Sequence, residues 1–370
     1  MNLTVFYSSP EKDADLLYFG GFYAPDPFLA FEIGDRKGAI LSPLELSRAR
    51  KSSQFDEILS LEEVLKSLES EKGVAAQILW LASERKATGI RLPEDFPARI
   101  ARELETGSDY PVTFVDRPVC RERLHKTLEE QESIRRVNAV VSGAFGEVER
   151  ILRESVIEGK FIHWQGEVLT SETLRSVIAV HCLRNGCIAS GTIAAGGVQA
   201  CDPHEQGSGP LPAHELIIVD IFPREERSGY HGDMTRTYLK GTANSEQRRL
   251  VDTVRKSQAL AIKSIAAGVD GKTVHESVVS CLEENGYKTG KDESGYYGFF
   301  HGTGHGLGLE IHEEPRVSRQ SCILEEGMVT TVEPGLYYPS IGGCRIEDVV
   351  CVTADGVEFL SDHPYDWMIE

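Results

Sequence analysis

The chain has 370 residues, enough for two or three domains, two being the simplest count. Hydrophobic residues make up 41% and aromatic residues 8%, a globular composition that excludes a disordered or fibrous chain. With 39 Lys and Arg against 58 Asp and Glu, the net charge is -19, which argues against nucleic acid or an anionic membrane as a partner.

The opening residues lack the basic-then-apolar pattern of a secretory leader, so none is expected. No apolar run reaches the roughly 18 residues of a membrane span. Eight cysteines are scattered without CxxC pairs. That fits reduced thiols and a cytoplasmic location better than disulfides or a thiolate zinc site.

Residues 16–33 read as a strand, a Gly/Pro/Asp turn and a second strand. Leu61, Val64, Leu65 and Leu68 mark a helical stripe within 61–72, and 73–83 form a short apolar run. Residues 91–105 read as a helix with prolines near its start. Together these make an α/β domain over 1–122, ending at a proline-containing stretch without periodicity.

Residues 123–370 open with a long helical pattern, about 126–158, then a helix ending at Asn185-Gly186, a C-cap signal. A Gly-rich stretch over 190–211 leads to the apolar strand 216–222 and its hairpin partner 233–241. Two helices follow, about 245–267 and 274–284, then a loop and strands near 329–339 and 344–353. The order helix–helix–strand–strand occurs twice and suggests two related halves.

HExxH, GxSxG and GxxxxGK[ST] are absent, and the glycines at 302, 304, 306 and 308 alternate in a way unlike a phosphate cradle. Four carboxylates stand in strand contexts instead. Asp220 lies inside LIIVDIF, Asp233 begins DMTRTYLKG, Glu333 ends VTTVE, and Glu347 sits in CRIEDVV with Arg345 on its face. A buried acid needs a partner. Four converging acids stay ionised only with cations among them, and two divalent metals would serve. Oxygen ligands plus an imidazole suit Mn²⁺, Co²⁺, Fe²⁺ or Zn²⁺. His301, His305, His312 and His204 supply the imidazoles in the same stretches.

These segments resemble the pita-bread metallopeptidases, the superfamily of methionine aminopeptidase, aminopeptidase P, prolidase and creatinase. VDIF…SGYHGDMTRT, FFHGTGHGLGLEIHEEP, TTVEPGLYYP and GGCRIEDVV carry the resemblance over about residues 125–370. It implies an α+β architecture, a pita-bread catalytic domain after a smaller N-terminal α/β domain. That extra domain points to the prolidase and aminopeptidase P branch. The metal ligands implied are Asp220, Asp233, His305, Glu333 and Glu347. Glu333 would also take the proton of the attacking water, with His204 and His312 as catalytic histidines. His301 would line the substrate pocket, and Arg345 would orient the carboxylates or His204.

The implied cofactor is a pair of divalent ions, manganese foremost and cobalt, zinc or iron as alternatives. The implied reaction is hydrolysis of Xaa-Pro bonds in dipeptides or short proline-containing peptides by a hydroxide bridging the metals, in a homodimer. The small Gly306 after His305 leans toward prolidase-like versions. Two other readings compete: an inactive pita-bread module that binds peptides or proteins, and a metal-independent creatinase-like amidinohydrolase. The chain departs from the family pattern at Asp220-Ile221-Phe222, where Asp-x-Gly is usual, and in a turn before Asp233 two residues longer.

Overall fold

A computed structural model of the protein describes residues 1–68, 72–293 and 295–370. The chain divides into two compact units, Met1–Arg123 and Leu124–Glu370.

In the first unit, Asn2–Ser8, Phe28–Ile33 and Arg36–Leu41 form an antiparallel centre. Glu57–Ser60 joins Arg36–Leu41 in parallel, while Gly89–Pro93 and Val112–Val115 extend the other side. The period of two sorts the side chains. Leu3, Val5, Leu29 and Phe31 enter one core with Ile78, Leu81 and Leu104. Phe6, Phe28 and Ala30 enter the other with Leu16 and Phe19.

Two sequence expectations change here, and one apolar run without an assigned element gains one. Residues 16–19 are not a strand but part of the helix Ala14–Gly20. Asp13 caps it by accepting from the Leu16 N–H at 2.9 Å, and Gly21, at φ 54, closes it in the left-handed region. Four apolar residues in a row are too short for periodicity to separate helix from strand. The apolar run at 73–83 is the helix Val74–Glu84. Residues 91–105 divide between the strand ending at Pro93 and the helix Ala98–Gly107. The stripe at 61–68 forms the helix Leu61–Ser67. Its expected continuation over 69–71 lies outside the described residues.

Asp15 ties this unit together. Fully buried, it accepts from Arg117 Nη1 at 2.8 Å, Arg123 Nη1 at 2.9 Å and the Val119 N–H at 2.7 Å. Burial alone would raise its pKa, but the hydrogen bonds from Arg117 and Arg123 outweigh it and hold the carboxyl below 3.8. A depressed carboxylate pKa stabilises the fold above the unfolded value and is lost as pH falls through the folded one. Asp15→Asn is therefore expected to cost about 3 kcal/mol at pH 7 and clearly less near pH 3, read by urea unfolding. An equal cost at both pH values would contradict this.

In the second unit, a capping box of Thr127 and Glu130 starts the helix Leu128–Glu154. It ends earlier than the sequence pattern suggests, because 156–168 form a small antiparallel meander of three strands. This helix and Ser171–Arg184 pack Val141, Phe145, Leu174 and Ile178 into one core with Ile217, Val219 and Tyr238. That core's sheet runs Ile193–Gly196, Ile217–Ile221, Met234–Lys240, Met368–Ile369. Ser245–Ser264 and Gly271–Glu284 bring Leu250, Val254 and Val278 against Val332 and Val350. The sheet there runs Glu313–Val317, Gly304–Gly306, Val329–Val332, Asp348–Thr353, Gly356–Phe359. Among the described residues, no helix is long and apolar enough to cross a membrane.

Candidate active site

A cavity of about 790 Å³ in the second unit is lined by all nine site residues singled out above. Strand register explains the convergence. Asp220 pairs with Ile193 on one side and Thr235 on the other, two residues past Asp233. In the other half Val332 pairs with Asp348, so Glu333 and Glu347 leave neighbouring strands together. Glu347 is not within one continuous strand, as CRIEDVV suggests. Gly342–Arg345 pairs with Gly335–Tyr338, whereas Asp348–Thr353 pairs with Val329–Val332. The chain switches partners at residues 346–347, and the break turns Glu347 into the cavity.

Gly304 and Gly306 let this happen at close quarters. A Cβ at Gly304 would lie 1.9 Å from the Thr331 carbonyl oxygen, and one at Gly306 2.1 Å from that of Glu314. The alternating glycines thus serve strand packing.

Ligand atoms of Asp233, His305 and Glu347 lie within 4.8 Å of one another. His305 Nε2 is 3.5 Å from Glu333 Oε1 and 3.8 Å from Asp233 Oδ2. Burial pushes Asp233 and Glu347 well above the usual carboxylate range, and the neighbouring acids push both further. Burial likewise raises Glu333 to about 7. Burial and then the adjacent His312 lower His305 to about 3, so its ring is neutral. Its Nδ1 is 3.1 Å from the Gly306 carbonyl. With the proton assigned to that bond, the Nε2 lone pair faces the acids, the tautomer a metal ligand needs.

Asp220 is held by Arg345 Nη2 at 2.7 Å through Oδ2, while its buried Oδ1 has no hydrogen-bond partner among the described residues. Among the described residues, Asp220 alone of the four acids pairs with a guanidinium. An orphaned buried oxygen and an aimed imidazole complete the donor set. These residues fit hard-to-borderline divalent cations.

A buried framework fixes the acids. Asn138 Oδ1 accepts from the Asp233 N–H at 2.9 Å, and Thr235 Oγ1 donates to Glu347 Oε2 at 2.8 Å. Arg236 donates to the backbone carbonyls of Glu347 at 2.6 Å, His363 at 2.8 Å and Pro364 at 3.1 Å, and pairs with Asp348 at 2.9 Å.

Arg345 is 3% exposed. Besides Asp220, it donates to Tyr337 Oη at 3.0 Å and to the Pro203 carbonyl at 3.2 Å, next to His204. Its donors therefore go to the site's own framework. His301 contacts the Gly302 carbonyl and Tyr337 Oη through its two ring nitrogens, each at 2.8 Å. Its ring also packs against Phe299, Phe300 and Tyr337, with centroids 5.0, 6.3 and 5.5 Å away. His204 and His312 are exposed, and the His312 ring stands edge-on to His305 with centroids 4.4 Å apart.

Two groups at the site escape the motif reading. Tyr337 links Arg345 to His301. Arg316 lines the cavity and pairs in register with His305. No ion-pair partner for Arg316 occurs among the described residues, while its charge reaches both His312 and Glu333. Treating 304–317 as a hairpin would have exposed it.

A buried acid and imidazole cluster, set at the strand ends of two helix-backed sheets, defines a metal-dependent hydrolase. The model of metallopeptidase family M24 matches residues 132–354, more than half of the chain, and the chain belongs to that family. An X-Pro aminopeptidase from Thermotoga maritima is similar over 100% of this chain and 98% of its own, with TM-score 0.84 and 22% identity. A prolidase from Pyrococcus furiosus is similar over 98% and 97%, with TM-score 0.78 and 24% identity. These likenesses establish the pita-bread fold. Over 169 residues the chain is 37% identical to a Xaa-Pro dipeptidase of Pyrococcus horikoshii, covering 45% of each chain. Over 169 residues it is 40% identical to an uncharacterized peptidase of Staphylococcus epidermidis, again 45% of each. The matched segments span about half the length of these curated relatives.

Proposed function

We propose that this protein hydrolyses Xaa-Pro bonds in dipeptides, using two divalent cations held by Asp220, Asp233, His305, Glu333 and Glu347. The observation that carries the reading is the intact ligand set in a cavity that also presents an uncommitted guanidinium, Arg316. Cations there would supply Lewis acidity toward a carbonyl oxygen and make water acidic enough to react near neutral pH.

The chain's own residues do the rest. Glu333 accepts the proton of the attacking water at its carboxylate. The leaving prolyl nitrogen has no hydrogen of its own and must receive one, which His204 or protonated Glu333 can deliver. His312, beside His305, donates toward the scissile peptide. Arg316 takes the free C-terminal carboxylate, the group that distinguishes a dipeptide from a longer chain. The eight cysteines are free thiols, which favours a cytoplasmic setting. Assembly as a homodimer remains part of this proposal.

The test is to measure bound metal, then assay free and C-terminally amidated Xaa-Pro dipeptides and longer peptides with Mn²⁺, Co²⁺ or Zn²⁺. Metal-dependent turnover of free dipeptides is expected. Arg316→Met should raise KM for them by about 10- to 100-fold while barely affecting amidated ones. Release of N-terminal residues from longer peptides would replace the dipeptidase reading with an aminopeptidase one. Absence of metal-dependent Xaa-Pro cleavage would sink both.

A further inference from the structure

The segment 306–313, which carries His312, leaves the strand Gly304–Gly306 and returns as Glu313–Val317. The register slips between His305 and Gly306, so the segment is not held by a regular ladder. Glu310 and His312 on it are exposed. Something else must fix the ring that stands 4.4 Å from His305.

Two side-on holds do this. Lys126 Nζ pairs with Glu313 Oε1, with side chains only 2% and 7% exposed. Lys126 is fixed in turn: its N–H donates to the Gly327 carbonyl at 2.8 Å, and its own carbonyl accepts from Gln131 Nε2 at 2.8 Å. The second hold is the lengthened turn before Asp233. His231 donates its backbone N–H to the Gly308 carbonyl at 2.9 Å, with its ring Nδ1 at 3.3 Å from the same oxygen. Gly308 packs so closely on the Glu313 carboxylate that a Cβ would lie 2.5 Å from Oε1. Both holds therefore meet at the residues flanking His312. A buried ion pair is a poor source of net stability compared with apolar packing, but it fixes geometry strongly.

We propose that Lys126, through its buried pair with Glu313, is a positioning residue that locks the His312 segment over the acid and imidazole cluster, with the His231 turn as the second clamp. The mechanistic part rests on the Xaa-Pro peptidase reading. The clamp itself does not. Lys126 reaches no reacting atom, so its effect passes through His312.

The experiment compares Lys126→Met, Lys126→Arg and Glu313→Gln in the metal-loaded full-length protein. Hydrogen exchange at 306–313 is expected to rise at least about tenfold in Lys126→Met and Glu313→Gln, and to return toward wild type in Lys126→Arg, with bound metal unchanged. With an Xaa-Pro dipeptide, Lys126→Met should lower kcat by about 10-fold or more and change KM little. In a His312→Ala background the same substitution should change kcat by less than about threefold. Unchanged exchange at 306–313 would overturn the clamp. So would an equal fall in kcat in both backgrounds, which would mark a general structural role. If Lys126→Met fails to fold, Glu313→Gln decides by the same exchange readout. If exchange responds but no variant, wild type included, cleaves Xaa-Pro bonds, the clamp stands and the substrate assignment fails.

Discussion

Asp233→Asn is expected to abolish turnover, with kcat/KM falling on the order of 10³-fold or more, and to lower the bound metal content. Asp233 sits where Glu347 and His305 meet, and its ligand atom lies within 4.8 Å of theirs. An amide there keeps the shape but removes a charge that bound cations would balance. Glu333→Gln should reach a comparable loss by also removing the proton acceptor. Circular dichroism should match wild type in both, because Asn138 still holds the Asp233 backbone. Near-wild-type rates in either variant would contradict the ligand assignment.

Stripping the metal should invert the protein's response to pH. Asp233, Glu333 and Glu347 all have raised pKa values in the folded chain, through burial first and mutual repulsion second for Asp233 and Glu347. A raised carboxylate pKa gives stability that is fully present below the unfolded value, near 4.5 for Glu333, and lost as pH rises through the folded one, about 7. The chelated protein is therefore expected to melt several degrees lower at pH 8 than at pH 5.5. Adding Mn²⁺ or Co²⁺ at pH 8 should restore the melting temperature, since a ligand of the native state alone stabilises it by mass action. A chelated protein equally stable at both pH values would mean the acids are compensated by the chain itself.

The acids and histidines were legible because their chemistry is incompatible with their neighbours. A carboxylate inside Ile217–Ile221 or at the end of Val329–Val332 has no reason to be there without a counter-charge. The order of two helices before each of two sheets was legible as well. Glu347 was recognised as an acid, but its strand break was not, because it depends on which partner each half of the segment finds. The helix Ala14–Gly20 reads as a strand in sequence because Leu16 to Phe19 are apolar without interruption, although Asp13 and Gly21 carry ordinary cap chemistry. Arg316 and Lys126 carry no motif at all. One is defined by its register opposite His305 and the other by a pairing 187 residues away in sequence.

Arg236 grips the carbonyls of His363 and Pro364 with the same guanidinium that holds the Glu347 carbonyl. During translation, the strand bearing Asp233 emerges from the ribosome long before either of those carbonyls exists. Two of the carbonyls that orient Arg236 behind Glu347 are therefore in place only once the segment around residue 364 has been made. A product stopped short of that segment would keep the Thr235 bond to Glu347 but lose two of the carbonyls that orient Arg236 behind it.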